Sequence, residues 1–200
     1  VKLIAHRRNR RHELEATPTE YGVEVDIRSR GSELIMHHDA FVDGEPFDEW
    51  LEAYRHGTLI LNVKEEGLED ALIARMRDRG IEDYFFLDQS FPFLVKTAGT
   101  GESRCAVRVS EFESLDTAMT LAGRIRWVWV DCFTRFPLDR AGWMRLRDAG
   151  FALCLVSPEL QGRRDRAEIV GVRRLLASWG VEPDAVCTKL DMMSAWTDAD

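Results

Sequence analysis

Eight short runs of β-type residues recur along the 200-residue chain, and the stretches between them have helical spacing. The runs are residues 2–7 (KLIAHR), 23–28 (VEVDIR), 59–64 (LILNVK), 84–88 (YFFLD), 105–110 (CAVRVS), 127–133 (WVWVDCF), 152–157 (ALCLVS) and 185–190 (AVCTKL). Residues 47–56 carry Phe47, Trp50, Leu51 and Tyr54, and residues 68–79 carry Leu68, Leu72, Ile73 and Met76 before stopping at Gly80. Residues 115–123, 138–150 and 167–180 repeat the pattern, each closing on a glycine suited to a helix C-terminus. Strands that alternate with helices run parallel, and eight of them close most simply into a ring. The predicted fold is therefore α/β, a compact (β/α)8 TIM-type barrel, with a doubly wound open sheet as the competing architecture.

Such barrels usually need about 250 residues, so this one is minimal, with residues 1–200 forming one domain. The connection over residues 8–22 is too short for a full first helix, and ten residues follow the last run, so the first and last helices are shortened or missing. That predicts a poorly covered seam beside the last strand, which a partner would bury. An extra run, residues 34–38 (LIMHH), follows the Arg30-Gly31 turn and is expected to pair with the second strand as a hairpin.

The net charge of −8 argues against a nucleic-acid surface, and no stretch has the 18 or more apolar residues of a membrane span. The polar run from His6 to Arg10 is unlike a signal peptide. Cys105, Cys132, Cys154 and Cys187 form no CxxC pair and each sits in an apolar run, so buried thiols in a reducing, cytoplasmic setting are expected. Trp127 and Trp129 alternate on one strand face and are read as barrel filling rather than a sugar platform. The acidic end, residues 197–200, is read as solvated.

Parallel barrel strands are buried on both faces, so charges inside them are informative. Glu24, Asp26 and Arg28 share one face of the second run by period-two alternation. Two inward carboxylates are costly unless a cation or arginine meets them, the simplest alternative being an internal salt-bridge network with Arg28 and Lys64. Other polar residues stand near the C-terminal ends of their runs: His6 and Arg7, Asn62 and Lys64, Asp88, Arg108, Asp131 and Lys189. In a barrel those ends converge on one face. His6 and His38 both follow runs leading there and suit a general acid and base, whereas His12 and His56 read as structural and His37 points elsewhere.

The segments Ile4-Ala5-His6-Arg7, Glu24-Val25-Asp26 and Met36-His37-His38-Asp39, with Asn62-Val63-Lys64, resemble the N-terminal signature of glycerophosphodiester phosphodiesterases. The likeness covers about the first 65 residues. It implies His6 and His38 as acid and base, and Arg7 on a phosphate oxygen. It also implies Glu24 and Asp26, with Asn62, on a divalent cation, Mg²⁺ or Ca²⁺, and Lys64 near the phosphate or the carboxylates. Arg28, Arg108, Asp88, Asp131 and Lys189 complete the expected substrate-binding set, and Asp88 or Asp131 would help hold the metal.

The chain departs from the pattern in four ways. Arg8 replaces a glycine, Asn62 replaces a carboxylate, the Glu-Asn-Thr element is not recognisable in residues 8–22, and the usual insertion after the second unit is absent. Three readings follow: a metal-assisted phosphodiesterase acting on a small-molecule phosphodiester, a catalytically inactive barrel that binds a phosphate ligand, or a metal-independent phospholipase C-like enzyme in which arginines replace the cation.

Overall fold

In the computed structural model, which describes residues 1–197, the eight runs form a closed ring of parallel strands. These are β1 (Lys2–Ala5), β2 (Gly22–Arg30), β5 (Leu59–Val63), β6 (Tyr84–Leu87), β7 (Ala106–Val109), β8 (Trp127–Val130), β9 (Ala152–Val156) and β10 (Ala185–Thr188). Each pairs with the next except β6, which meets the start of β7 through a single bridge from Phe86 to Cys105, and β10 returns to β1 with Lys2 opposite Ala185 through Ala5 opposite Thr188. Residues 198–200 of the acidic end lie outside the described residues. Among the described residues no helix is long and apolar enough to cross a membrane.

β2 outlasts its barrel partners. Past Ile27 it continues into an antiparallel hairpin with β3 (Glu33–Met36), and β3 is flanked by the two-residue β4 (Glu45–Pro46). The helices are α1 (Arg11–Glu15), α2 (Phe47–Ala53), α3 (Glu69–Asp78), α4 (Phe91–Gly99), α5 (Leu115–Met119), α6 (Arg140–Asp148), α7 (Arg166–Trp179) and α8 (Met193–Thr197). The first and, among the described residues, the last are single short turns of five residues each. Helix α4 has no counterpart in the helical stretches read from the sequence, because its FPFLV start mixes aromatic and β-branched residues with a proline. That proline stands in the first turn, where the missing N–H is no loss.

The seam departs from expectation. The β1–β10 junction is paired over four residues, and the ring is weakest between β6 and β7, which share one bridge, Phe86 to Cys105. Side-chain alternation fills the barrel with Ile4, Ile60, Phe85, Trp127, Trp129 and Cys187, and Phe85 stacks on Trp127 at 4.6 Å. Trp127 and Trp129 are thus barrel filling, and all four cysteines are buried and free. Below this layer, Lys2 Nζ donates to Thr58 Oγ1 (2.9 Å) and meets Asp83 (2.8 Å), closing the end away from the strand C-termini.

Gly22 sits where β1, β2 and β5 converge, and a Cβ there would lie 2.5 Å from the Thr58 carbonyl oxygen. Only glycine allows this approach. Gly22→Ala is expected to lower stability by about 1–3 kcal/mol, as overpacking against backbone does. Equal urea midpoints for the variant and wild type would contradict this packing.

Candidate active site at the barrel mouth

Above the apolar filling, at the strand C-termini, alternation delivers a layer of charge. Glu24 and Asp26 of β2 are both fully buried, and Asn62 stands opposite Asp26 on β5. One Glu24 oxygen accepts from Asn62 Nδ2 (2.9 Å), and the other accepts from the Arg7 backbone N–H (2.8 Å) with His6 Nε2 at 3.7 Å. Arg7 adopts a left-handed backbone (φ 53°), which turns its N–H back onto Glu24. The next residue, Arg8, follows through: its N–H donates to the Glu24 carbonyl, and its guanidinium reaches the His6 carbonyl at 3.2 Å.

Asp26 is held from three sides. Asn9 clasps it twice, Nδ2 donating to Oδ2 and Oδ1 accepting from the Asp26 N–H, both at 2.8 Å. Arg7 Nε lies 3.3 Å from Oδ2, and Lys64 Nζ lies 3.2 Å from Oδ1. Lys64 also reaches Asp88 (3.3 Å), Asp88 ion-pairs with Arg108, and Arg108 donates to Asp131 (3.0 Å). Asp131 accepts further from Gln161 Nε2 (2.7 Å) and the Cys132 N–H (2.9 Å). A chain of alternating charge therefore spans the barrel from β2 to β8.

Burial sets the proton affinities. Glu24 is raised to about 7, first by desolvation and then by Asp26 beside it, against the Asn62 bond, Lys64 and the Arg7 N–H. His6 is lowered to about 4 by burial and by Arg7, so its imidazole is neutral at pH 7. Burial raises the Asp131 carboxyl against the pull of Arg108. Burial works the same way on Asp88, but Arg108 and Lys64 outweigh it and hold that carboxyl low.

His38 lies past the hairpin on the rim. Its Nδ1 is 2.7 Å from Asp39 Oδ1, an arrangement that orients the ring, and its carbonyl accepts from Arg28 Nη2 (2.9 Å). Arg28 also reaches Glu65 (3.4 Å), so its guanidinium is spent on the rim and pairs with neither strand carboxylate. The internal network weighed as the alternative, around Arg28 and Lys64, is built from Arg7 and Lys64. Lys189 stands apart from the charged chain and lines a cleft of about 670 Å³ with His6, Arg7, Arg8 and Leu160. No ion pair engages its ammonium among the described residues.

The whole barrel has counterparts among solved structures. A glycerophosphodiester phosphodiesterase from Agrobacterium tumefaciens str. C58 superposes with a TM-score of 0.70 at 14% identity, covering 97% of this chain and 99% of that one. A glycerophosphoryl diester phosphodiesterase from Parabacteroides distasonis ATCC 8503 gives 0.65 at 13% identity, covering 98% of this chain and 86% of the other. The chain has the fold of the glycerophosphodiester phosphodiesterases. No family model matches the sequence, and no curated protein does.

Within the barrel the structure joins His6, Arg7, Glu24, Asp26, Asn62, Lys64, Asp88, Arg108 and Asp131, and sets His38, Arg28 and Lys189 around them. Three participants were absent from the sequence-based set. Asn9 is one polar residue in a run of arginines and carries no signal of its own. Gln161 sits in a 3₁₀ turn (Pro158–Gln161), and Glu159 in the same turn is buried, accepting from Ser157, Thr188 (2.6 Å) and the Lys189 N–H (3.0 Å).

The donor set does not fit the divalent cation that the sequence resemblance implies. Every oxygen of Glu24 and Asp26 faces a nitrogen, and both cations that meet Asp26 would repel a metal. Of the buried oxygens without a hydrogen bond, Asp26 Oδ1 is the one Lys64 approaches, and Asn62 Oδ1 is a neutral amide. Among the described residues no three His, Cys, Asp or Glu side chains are grouped to hold a metal.

Because Glu24 is raised from 4.5 to about 7, its contribution to stability is fully present below 4.5 and is lost as pH rises through 7. Glu24→Gln cannot ionise and escapes that loss. Wild type is therefore expected to lose stability relative to Glu24→Gln between pH 5 and pH 8, by on the order of 1–3 kcal/mol. Urea unfolding at both pH values measures it, and a constant gap would place the Glu24 carboxyl in its ordinary range.

Proposed function

We propose that the chain hydrolyses a small-molecule phosphodiester at the barrel mouth, with the charge of the phosphoryl group met by its own cations rather than by Mg²⁺ or Ca²⁺. The observation that carries this reading is the cleft in which a neutral His6 stands among Arg7, Arg8 and Lys189, whose ammonium has no ion pair among the described residues, with Asp191 as the one carboxylate in the lining. A phosphodiester is an anion, and arginine and lysine at its oxygens both hold it and stabilise the added charge of the transition state. The fold shared with two phosphodiesterases agrees with it.

In this reading the attacking hydroxyl or water loses its proton to His6 as its oxygen bonds to phosphorus. The bond from phosphorus to the leaving alkoxide breaks, and that oxygen takes a proton from His38. Asp39 fixes the His38 ring by its 2.7 Å contact with Nδ1, which leaves Nε2 to carry the proton. Arg28 is a positioning residue that holds the His38 carbonyl on the rim. A cytoplasmic setting and a place in lipid metabolism belong to the same reading. The four buried thiols accord with the first, and the diester chemistry with the second.

A phosphate-binding barrel without turnover is the second reading, favoured by the low proton affinity of His6, which makes it a weak base. Turnover of bis(p-nitrophenyl) phosphate separates the two. His6→Ala and His38→Ala are each expected to cut kcat by about 10²-fold or more, with circular dichroism unchanged. With His6 lowered to about 4, the acid limb of kcat/KM should fall near pH 4 rather than 6.5. Full activity in either variant removes that histidine from the chemistry, and phosphate binding without turnover in wild type establishes the second reading.

A further inference from the structure

We propose that the opening between β6 and β7 receives an alkyl or acyl chain of the phosphodiester held at the mouth, so that the substrate class is an amphiphilic, lipid-type phosphodiester. This rests on the phosphodiesterase reading and goes beyond it to the group attached to phosphorus. The other neighbouring strands of the ring pair at two to five positions each. β6 pairs with β5 at four positions and β7 with β8 at four, whereas β6 and β7 meet at Phe86 and Cys105 alone. Beyond that bridge, towards the mouth, the two strands part.

A cleft of about 680 Å³ fills the gap. Leu87 and Ala106 in its lining belong to the barrel interior, while Val107 and Leu94 belong to the apolar layer beneath the helices. The cleft therefore passes through the barrel wall rather than lying on it. Its inner end is Asp88 and Arg108, members of the charged chain at the mouth. Its outer rim carries Phe91 and Phe112, which are 44% and 77% exposed and among the few large apolar side chains left in solvent. Exposed aromatics bordering an apolar passage mark a binding surface more often than chance exposure does.

Most polar groups in the lining are already engaged, with one another or with neighbours outside it, and Gln89 Oε1 is the buried oxygen left without a partner. Ser114 Oγ accepts from the Thr117 N–H at 3.2 Å as the cap of α5, and Ser110 donates to Glu113 at 2.8 Å. Gln89 Nε2 donates to Glu69 and to Thr97, both at 3.0 Å. Apart from Gln89 Oε1, what remains for a ligand is the carbon surface of Leu87, Leu94, Ala106 and Val107 leading away from the charged chain at the mouth, and this fits a substituent that is charged at one end and apolar along its length.

Calorimetry with inorganic phosphate, n-butyl phosphate, n-octyl phosphate and 1-octanol tests this. Each buried methylene is worth roughly fourfold in affinity at most, so octyl phosphate should bind wild type at least about tenfold tighter than butyl phosphate. Thr117→Trp, an exposed position on α5 that fills the cleft, should abolish that increment while inorganic phosphate binds as before. Phe112→Ala should shrink the increment, and its surface position keeps the fold out of question. Equal binding of butyl and octyl phosphate by wild type, or an increment untouched by Thr117→Trp, overturns the inference. If neither phosphate nor butyl phosphate binds, the phosphodiester reading fails by itself. In that case 1-octanol binding that Thr117→Trp removes still supports the cleft as a chain site, and its failure to bind rejects it.

Discussion

An aspartate sealed inside a barrel costs several kcal/mol unless its charge is answered in place, and the answer given to Asp26 organises the mouth of this protein. Asn9 satisfies both its backbone N–H and one carboxylate oxygen, Arg7 meets the same oxygen, and Lys64 meets the other. Asn9 and Arg7 lie on the connection leaving β1, so the carboxylate of the second strand fixes the path of the loop after the first. The left-handed turn at Arg7 is part of that path and brings a backbone N–H to Glu24. Trp50 of α2 secures it from outside by donating to the Arg8 carbonyl at 2.9 Å. A five-residue α1 suffices because side chains, rather than a long crossover helix, hold the connection.

The same solution propagates across the ring. Lys64, shared between Asp26 and Asp88, links the carboxylates of β2 to Arg108 and Asp131 on the far side. Such a network holds its members in place, and removing one partner leaves a buried charge unanswered. Glu24 is the exception. Lacking a cation of its own, it is pushed to about 7 by burial and by Asp26, so its charge changes near neutral pH. Beneath lies the apolar filling of Ile4, Phe85 and Trp127, which shields the layer from below.

Much of this was legible from residue order. Period-two alternation puts Glu24 and Asp26 on the inward face, and the recurrence of polar residues at strand ends locates the mouth. The hairpin after Arg30-Gly31 followed from its turn. What the sequence hid were partners chosen in three dimensions. Arg28 shares a face with Glu24 and Asp26, yet it sits above the barrel, where β2 has left its neighbours and the rim carbonyl of His38 is nearer. The weak seam was expected at the chain's last strand because few residues follow it. It lies instead at β6–β7, where only one residue pair stays in bridging distance, and strand lengths do not reveal that. Asn9 was invisible because an amide in an arginine-rich loop has no periodicity to betray its burial.

The central claim is that Arg7 and Lys64 supply the charge compensation that the buried Asp26 needs. Isothermal calorimetry of Mg²⁺ and Ca²⁺ against wild type and Lys64→Ala tests it most directly. Wild type should show no binding at millimolar concentrations, and Lys64→Ala, which uncovers Asp26 Oδ1, should acquire it. Tight binding by wild type that Asp26→Asn abolishes would contradict the account and return the site to a metal.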